Sequence, residues 1–134
     1  MNASSYSGTP PITNEQRKIE SGPIYSKPAV ITLSKQKLVV LWTRDARNNA
    51  SDLLFDTRDV ADLITLAVND GRFLGSEWCQ QTSNGLWAAC DSYEVKRLEW
   101  NERTQKKVRS DYFLKFAISK TRTTLFSVSN HLST

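Results

Sequence analysis

Through most of the second half of this chain apolar and polar residues alternate with a period of two, which predicts strands; just before it, one stretch carries the 3.6-residue period of a helix. In that stretch Val60, Leu63, Ile64, Ala67 and Val68 share one stripe while Asp62 and Thr65 lie off it. This predicts one main helix over about 58–69, its stripe facing a core. Asp56 or Thr57 suits the N-cap, Asp59 complements the positive end of the helix dipole, and Gly71 is expected to close the helix in a left-handed conformation.

From Glu77 the strand pattern takes over. Asn84-Gly85 separates two short strand-like runs, and a two-residue type I′ turn there makes facing positions sum to 169, with Cys79 opposite Cys90. Ser92–Trp100 continues the second strand, but Tyr93 and Val95 share one parity and Leu98 and Trp100 the other, which predicts a bulge near Lys96-Arg97. A polar loop follows over 101–107. Val108–Ser119 alternates cleanly, and Thr124–Leu132 forms a last strand. A turn centred on Thr121-Arg122 pairs Ile118 with Leu125, Ala117 with Phe126 and Lys115 with Val128.

Ahead of the helix, the β-branched runs Ala29–Leu33 and Leu38–Thr43 predict a hairpin around Ser34–Lys37, and Arg44–Ser51 reads as a polar loop. Residues 1–28, broken by Pro10-Pro11, Gly22-Pro23 and Lys27-Pro28, read as a flexible leader with at most one helical turn at Thr13–Gln16. The fold expected over 29–134 is thus a single α+β domain: a strongly curved antiparallel sheet, built from the N-terminal hairpin and a C-terminal four-stranded meander, with one main helix. Both faces of the last strand pair are partly apolar, and one helix covers only one face of a sheet. Curling of the sheet, the leading hairpin or a second subunit must cover the other, so a homodimer is one expectation.

Composition narrows the function. A chain of 134 residues with 39% hydrophobic positions builds one domain with a core. No apolar run or N-terminal signal pattern points to a membrane, so a cytoplasmic protein without a membrane partner is expected. In such a compartment Cys79 and Cys90 read as packed thiols ahead of a disulfide or redox pair. One histidine, His131, leaves no His-rich metal set, and no P-loop, dinucleotide or nucleophile-elbow motif occurs. We expect no enzyme activity, no cofactor and no metal.

Charge supplies the positive signal. Residues 57–91 hold two basic residues against five acidic, whereas 92–134 hold nine against four. Lys96, Arg97, Arg103, Lys106, Lys107, Arg109, Lys120 and Arg122, interleaved with Trp100, form a candidate nucleic-acid-binding set, the cations on phosphates and the indole on a base. In a meander, however, Arg103, Lys106 and Lys107 lie at one end of the sheet and Lys120 and Arg122 at the other. Two alternatives remain. One is a protein-interaction module or inhibitor, of the kind mobile elements carry, working through an aromatic face or sheet edge against an acidic protein surface. The other is a binder of small apolar ligands, with Trp42, Tyr112 and Phe116 lining a cavity inside the curved sheet beneath the helix.

Overall fold

The computed structural model describes residues 1–133, apart from the side chain of Asn14. In chain order the elements are β1 (Lys18–Ile19), α1 (Lys27–Lys35), β2 (Val39–Leu41), α2 (Arg44–Leu53), α3 (Thr57–Asp70), β3 (Arg72–Gln80), β4 (Trp87–Asn101), β5 (Lys106–Ile118) and β6 (Leu125–Leu132). The strands form one open sheet in the order β1-β3-β4-β5-β6-β2. β3 to β6 are the antiparallel meander that alternation predicts, and β2 joins its far edge parallel to β6.

The predicted N-terminal hairpin is not formed. Its first half is α1: Ser26 caps the helix by accepting from the Ala29 amide, Pro28 fits the first turn, and Val30, Leu33 and Ser34 turn inward at helical spacing. Tertiary packing against α3 overrides the β-branched composition of this run. Likewise 44–51, read as a loop, belongs to α2. Thr43 caps it through the Ala46 amide, and Ala46 and Ala50, one turn apart, are its buried face.

α3 matches the predicted helix to within a residue at each end. Asp56 and Asp59 close a reciprocal capping box. Gly71, however, is extended rather than left-handed, at φ −88°. Its value is space: a Cβ there would meet the Ala67 carbonyl at 2.5 Å and the Glu94 carbonyl at 2.6 Å, where the helix end passes close to β4.

The register of the β3–β4 hairpin also differs from expectation. Glu77 faces Cys90 and Cys79 faces Ala88, so facing positions sum to 167. A type I′ turn needs positive φ at both central residues. Here only Asn84 has it (64°), and the tight turn runs from Thr82 to Gly85, closed by a 2.9 Å backbone bond. Gly85 lies so close to Thr82 that a Cβ would come within 2.3 Å of its hydroxyl. The two cysteines become diagonal neighbours on one face, both free and buried.

No bulge interrupts β4 at Lys96-Arg97; the β4–β5 ladder is continuous from Asp91–Phe116 to Asn101–Lys106. Leu98 and Trp100 break the apolar parity because they lie on the outward face of the sheet, 67% and 54% exposed. Bulges occur instead beside Gly75 and between β5 and β6. There Ile118–Leu125 and Ala117–Phe126 pair as predicted, but Lys115 faces Ser129 rather than Val128.

Alternation along these ladders sorts the sheet into two faces. Val95, Tyr112, Leu114, Phe116, Ile118 and Leu125 share the inner face and form one core with Val60, Leu63, Ile64 and Ala67 of α3 and Val30 and Leu33 of α1. Trp42, Tyr112 and Phe116, the residues considered for a ligand cavity, are packed against Phe126, Phe55 and Tyr93 respectively.

The segment expected as a leader is mostly extended, with one short 3-10 turn at Asn14–Gln16 where a helical turn was expected, and parts of it are built into the sheet. Beyond the Asp91–Phe116 pair β4 and β5 separate, and residues 2–5 fill the gap. The Ala3 amide bonds to the Trp87 carbonyl (2.7 Å), the Lys120 amide to the Ala3 carbonyl (2.8 Å) and the Ser5 amide to the Ile118 carbonyl (2.9 Å). The core therefore takes in Ser4, Ile19 and Tyr25, all ahead of the domain start expected at Ala29. Asp91, fully buried, anchors this segment by accepting from the amides of Ile24 and Tyr25 at 3.0 Å and from the Ser76 hydroxyl at 2.6 Å.

Thr43 connects the layers: besides capping α2 it donates to the Val128 carbonyl of β6 at 2.7 Å while buried. Thr43→Val keeps the shape and removes both bonds. A stability loss of about 2 kcal/mol is expected in urea unfolding.

Candidate nucleic-acid interface

β4 and β5 are longer than their neighbours. β3 begins at Arg72, opposite Glu94, and β6 ends at Leu132, opposite Tyr112, with one further bond from the Ser133 amide to the Asp111 carbonyl. Val95–Asn101 and Lys106–Ser110 therefore run on as a two-stranded ribbon, projecting about 20 Å from the six-stranded body. Residues 95–111 carry six basic side chains against three acidic ones.

On the outer face of the ribbon the cross-strand pairs are Lys96–Asp111, Leu98–Arg109 and Trp100–Lys107. Trp100 and Leu98 stand exposed between Lys96, Lys107 and Arg109, an indole plate edged by cations. Arg109 already shares its charge with Asp111 at 3.4 Å. Arg103 and Lys106 sit at the tip, where the Asn101 side chain accepts from the amides of Arg103 and Thr104 and shapes the turn. Gln105 completes this turn with φ 54°. Among the described residues no ion pair forms on Lys96, Lys107, Arg103 or Lys106.

The same face continues into the body. Phe113 stacks on His131 with ring centroids 5.1 Å apart, and the Lys115 ammonium lies 5.8 Å from the Phe113 ring. Lys115 reaches across β4 to Glu77 at 2.5 Å. Burial pulls the Lys115 pKa down, but the charges of Cys79 and Glu77 outweigh it and leave it raised. Beneath this ion pair, a hydrogen bond from Cys90, aided by Lys115, holds the Cys79 thiol below the usual range, whereas burial pushes Cys90 up. Among the described residues no three His, Cys, Asp or Glu side chains group as a metal site.

Four candidates fall outside the outer face of the ribbon; one, Lys106, pairs with Asn101 and so has inner-face parity at the tip. Arg97 is on the inner face, 5.6 Å from the Phe55 ring centroid and 5.2 Å from that of Tyr112, and paired with Glu99 at 3.0 Å. Tyr112 donates to Glu99 at 2.6 Å; burial, then this carboxylate, push the phenol up to about 12. Lys120 and Arg122 lie at the opposite end of β5, about 40 Å away along the strand. There Arg122 rims a cleft of about 550 Å³ with Tyr25, Ser26 and Thr32. Lys96, Trp100, Arg103, Lys106, Lys107 and Arg109 do gather on the ribbon.

The Phe113–His131 stack was hidden from sequence reasoning by the β5–β6 bulge. A turn at Thr121-Arg122 without that extra residue would set His131 beside Tyr112 and so on the wrong face.

No helix of the described residues is long and apolar enough to cross a membrane. Comparisons with protein families, curated proteins and solved structures find no match.

Proposed function

We propose that this chain is a non-enzymatic binding protein that holds single-stranded nucleic acid along the outer face of the β4–β5 ribbon. The observation that carries this reading is the grouping of Trp100 with Lys96, Lys107 and Arg109 on one exposed face, with Arg103 and Lys106 at its tip. Unpaired bases stack on exposed aromatic rings, while the backbone follows a basic track. An exposed strand face with rings and cations in line suits such a strand. The Phe113–His131 stack, six residues along β4 and so about 20 Å further, offers a second platform on the same line.

A salt titration with a single-stranded oligonucleotide tests the reading. Engagement of the four cations without ion pairs corresponds to a slope of about −3 in log affinity against log salt. Trp100→Ala is expected to weaken binding by about 1–3 kcal/mol while leaving that slope intact, because stacking releases no counterions. Affinity indifferent to salt would sink the proposal and favour a protein partner held by the exposed aromatic face.

A further inference from the structure

We propose that the free edge of β4 is a self-complementary pairing site, at which two copies of this chain join antiparallel through Val95–Asn101 with the two-fold axis at Leu98. This inference uses the edge of the same ribbon and shares Lys96 and Trp100 with the nucleic-acid reading, so its test reads oligomer mass and cross-linking rather than oligonucleotide affinity.

Three observations carry it. The first is geometric. A strand edge presents unpaired amides and carbonyls that another strand can satisfy. On the β3 side, β4 is unpaired beyond Glu94, and its ladder with β5 ends at Asn101. A symmetric pairing that uses the whole free stretch, from Val95 to Asn101, is necessarily centred on its midpoint, Leu98.

The second is chemical. Facing residues of an antiparallel dimer must lie on the same face of the joined sheet, so only alternate registers are allowed. Centring on Leu98 sets Arg97 opposite Glu99 of the other copy, twice over, on the inner face. On the outer face it sets Lys96 opposite Trp100, again twice, and Leu98 opposite Leu98. Every charged residue meets an opposite charge or an aromatic ring. The neighbouring registers fail: centring on Arg97 opposes two guanidinium groups, and centring on Glu99 opposes two carboxylates. Charges near a strand edge normally repel a generic incoming strand. This arrangement admits its own copy in one register.

The third is that the pairing costs the monomer little. Leu98 is 67% exposed and Arg97 and Glu99 are half-buried, already held side by side at 3.0 Å. Isologous contact of this kind closes on itself and gives a dimer, not a fibre. Both helix layers fall on one side, and the outer faces of two ribbons merge into one four-stranded surface.

Charge exchange tests the register. Sedimentation velocity of the full chain is expected to give a dimer, and Arg97→Glu and Glu99→Arg each a monomer, because each alone opposes like charges. Mixed in equal amounts, the two variants are expected to recover dimer mass, with native mass spectrometry showing a one-to-one heterodimer. Because Arg97 also touches Phe55 and Tyr112, a second variant avoids that contact. Leu98→Cys sets the introduced thiols across a pair whose Cα separation suits a disulfide, so oxidised glutathione is expected to give a covalent dimer, with Val108→Cys as the exposed control. A monomeric wild-type chain at all concentrations would overturn the proposal. So would single variants that stay dimeric, a mixture of folded variants that stays monomeric, or cross-linking no greater at residue 98 than at residue 108.

Discussion

Reversing the charges of Arg103, Lys106 and Lys107 to glutamate is expected to weaken single-stranded oligonucleotide binding by roughly 100-fold or more at about 0.1 M salt. These residues occupy the tip of the ribbon and its outermost ladder pairs, exposed and remote from the core, so folding is expected to survive. Each phosphate contact removed on a single strand lowers the salt slope by about 0.7, so the triple variant flattens it by about 2 as affinity falls. Fluorescence anisotropy across a salt series reads both quantities. Lys120→Glu and Arg122→Glu together serve as the internal control. They change charge by a similar amount about 40 Å away and are expected to shift binding far less. Unchanged affinity in the triple variant would remove the tip from the interface.

Asp91→Ala is expected to be the most damaging single substitution, lowering stability by roughly 3–5 kcal/mol, because it strands two backbone amides and a hydroxyl in a buried site. Asp91→Asn is expected to be mild. Its carbonyl can accept from the amides of Ile24 and Tyr25 while its amide group donates to Ser76, so every partner stays satisfied. The two variants also separate charge from geometry. Burial raises the Asp91 pKa, and the three hydrogen bonds offset this only in part. The folded chain therefore holds this proton more tightly than the unfolded chain does. That contribution is fully present below the ordinary carboxylate pKa and is lost as pH rises through the raised folded value. Urea titrations across that window should show the wild type losing stability relative to Asp91→Asn as pH increases. Parallel curves would mean that Asp91 titrates normally.

The readable parts of this fold are those where local pattern and tertiary contact agree. α3 combines an apolar stripe with a matched cap, and β5 alternates cleanly because one of its faces packs on helices and the other does not. α1 was misread because Val30, Ile31 and Thr32 favour strands, whereas Ser26, Pro28 and the contact with α3 decide for helix. In α2, short residues and many polar ones hid the helical spacing of Ala46, Ala50 and Leu53, its whole apolar signal. The parallel docking of β2 on β6 joins residues more than 80 positions apart and leaves no local trace.

For the candidate interface, the residue types and the β4–β5 hairpin were legible, and they led to the ribbon. Its projection was not, since it depends on where β3 and β6 stop. The mixed parity of Leu98 and Trp100 was visible but read as a bulge. It marks instead the place where the sheet loses its helical cover and the outer face carries the larger side chains.

Residues 2–5, set between the separated ends of β4 and β5, have a consequence for how the chain is made. Their partners, Trp87, Ala89, Ile118 and Lys120, lie more than 80 positions further along, so this segment stays unpartnered until those residues have been synthesised. Closing the sheet there brings together residues more than a hundred positions apart, a non-local contact of the kind that slows folding. Until it happens, the nascent chain presents two unfilled strand edges to whatever else is in reach.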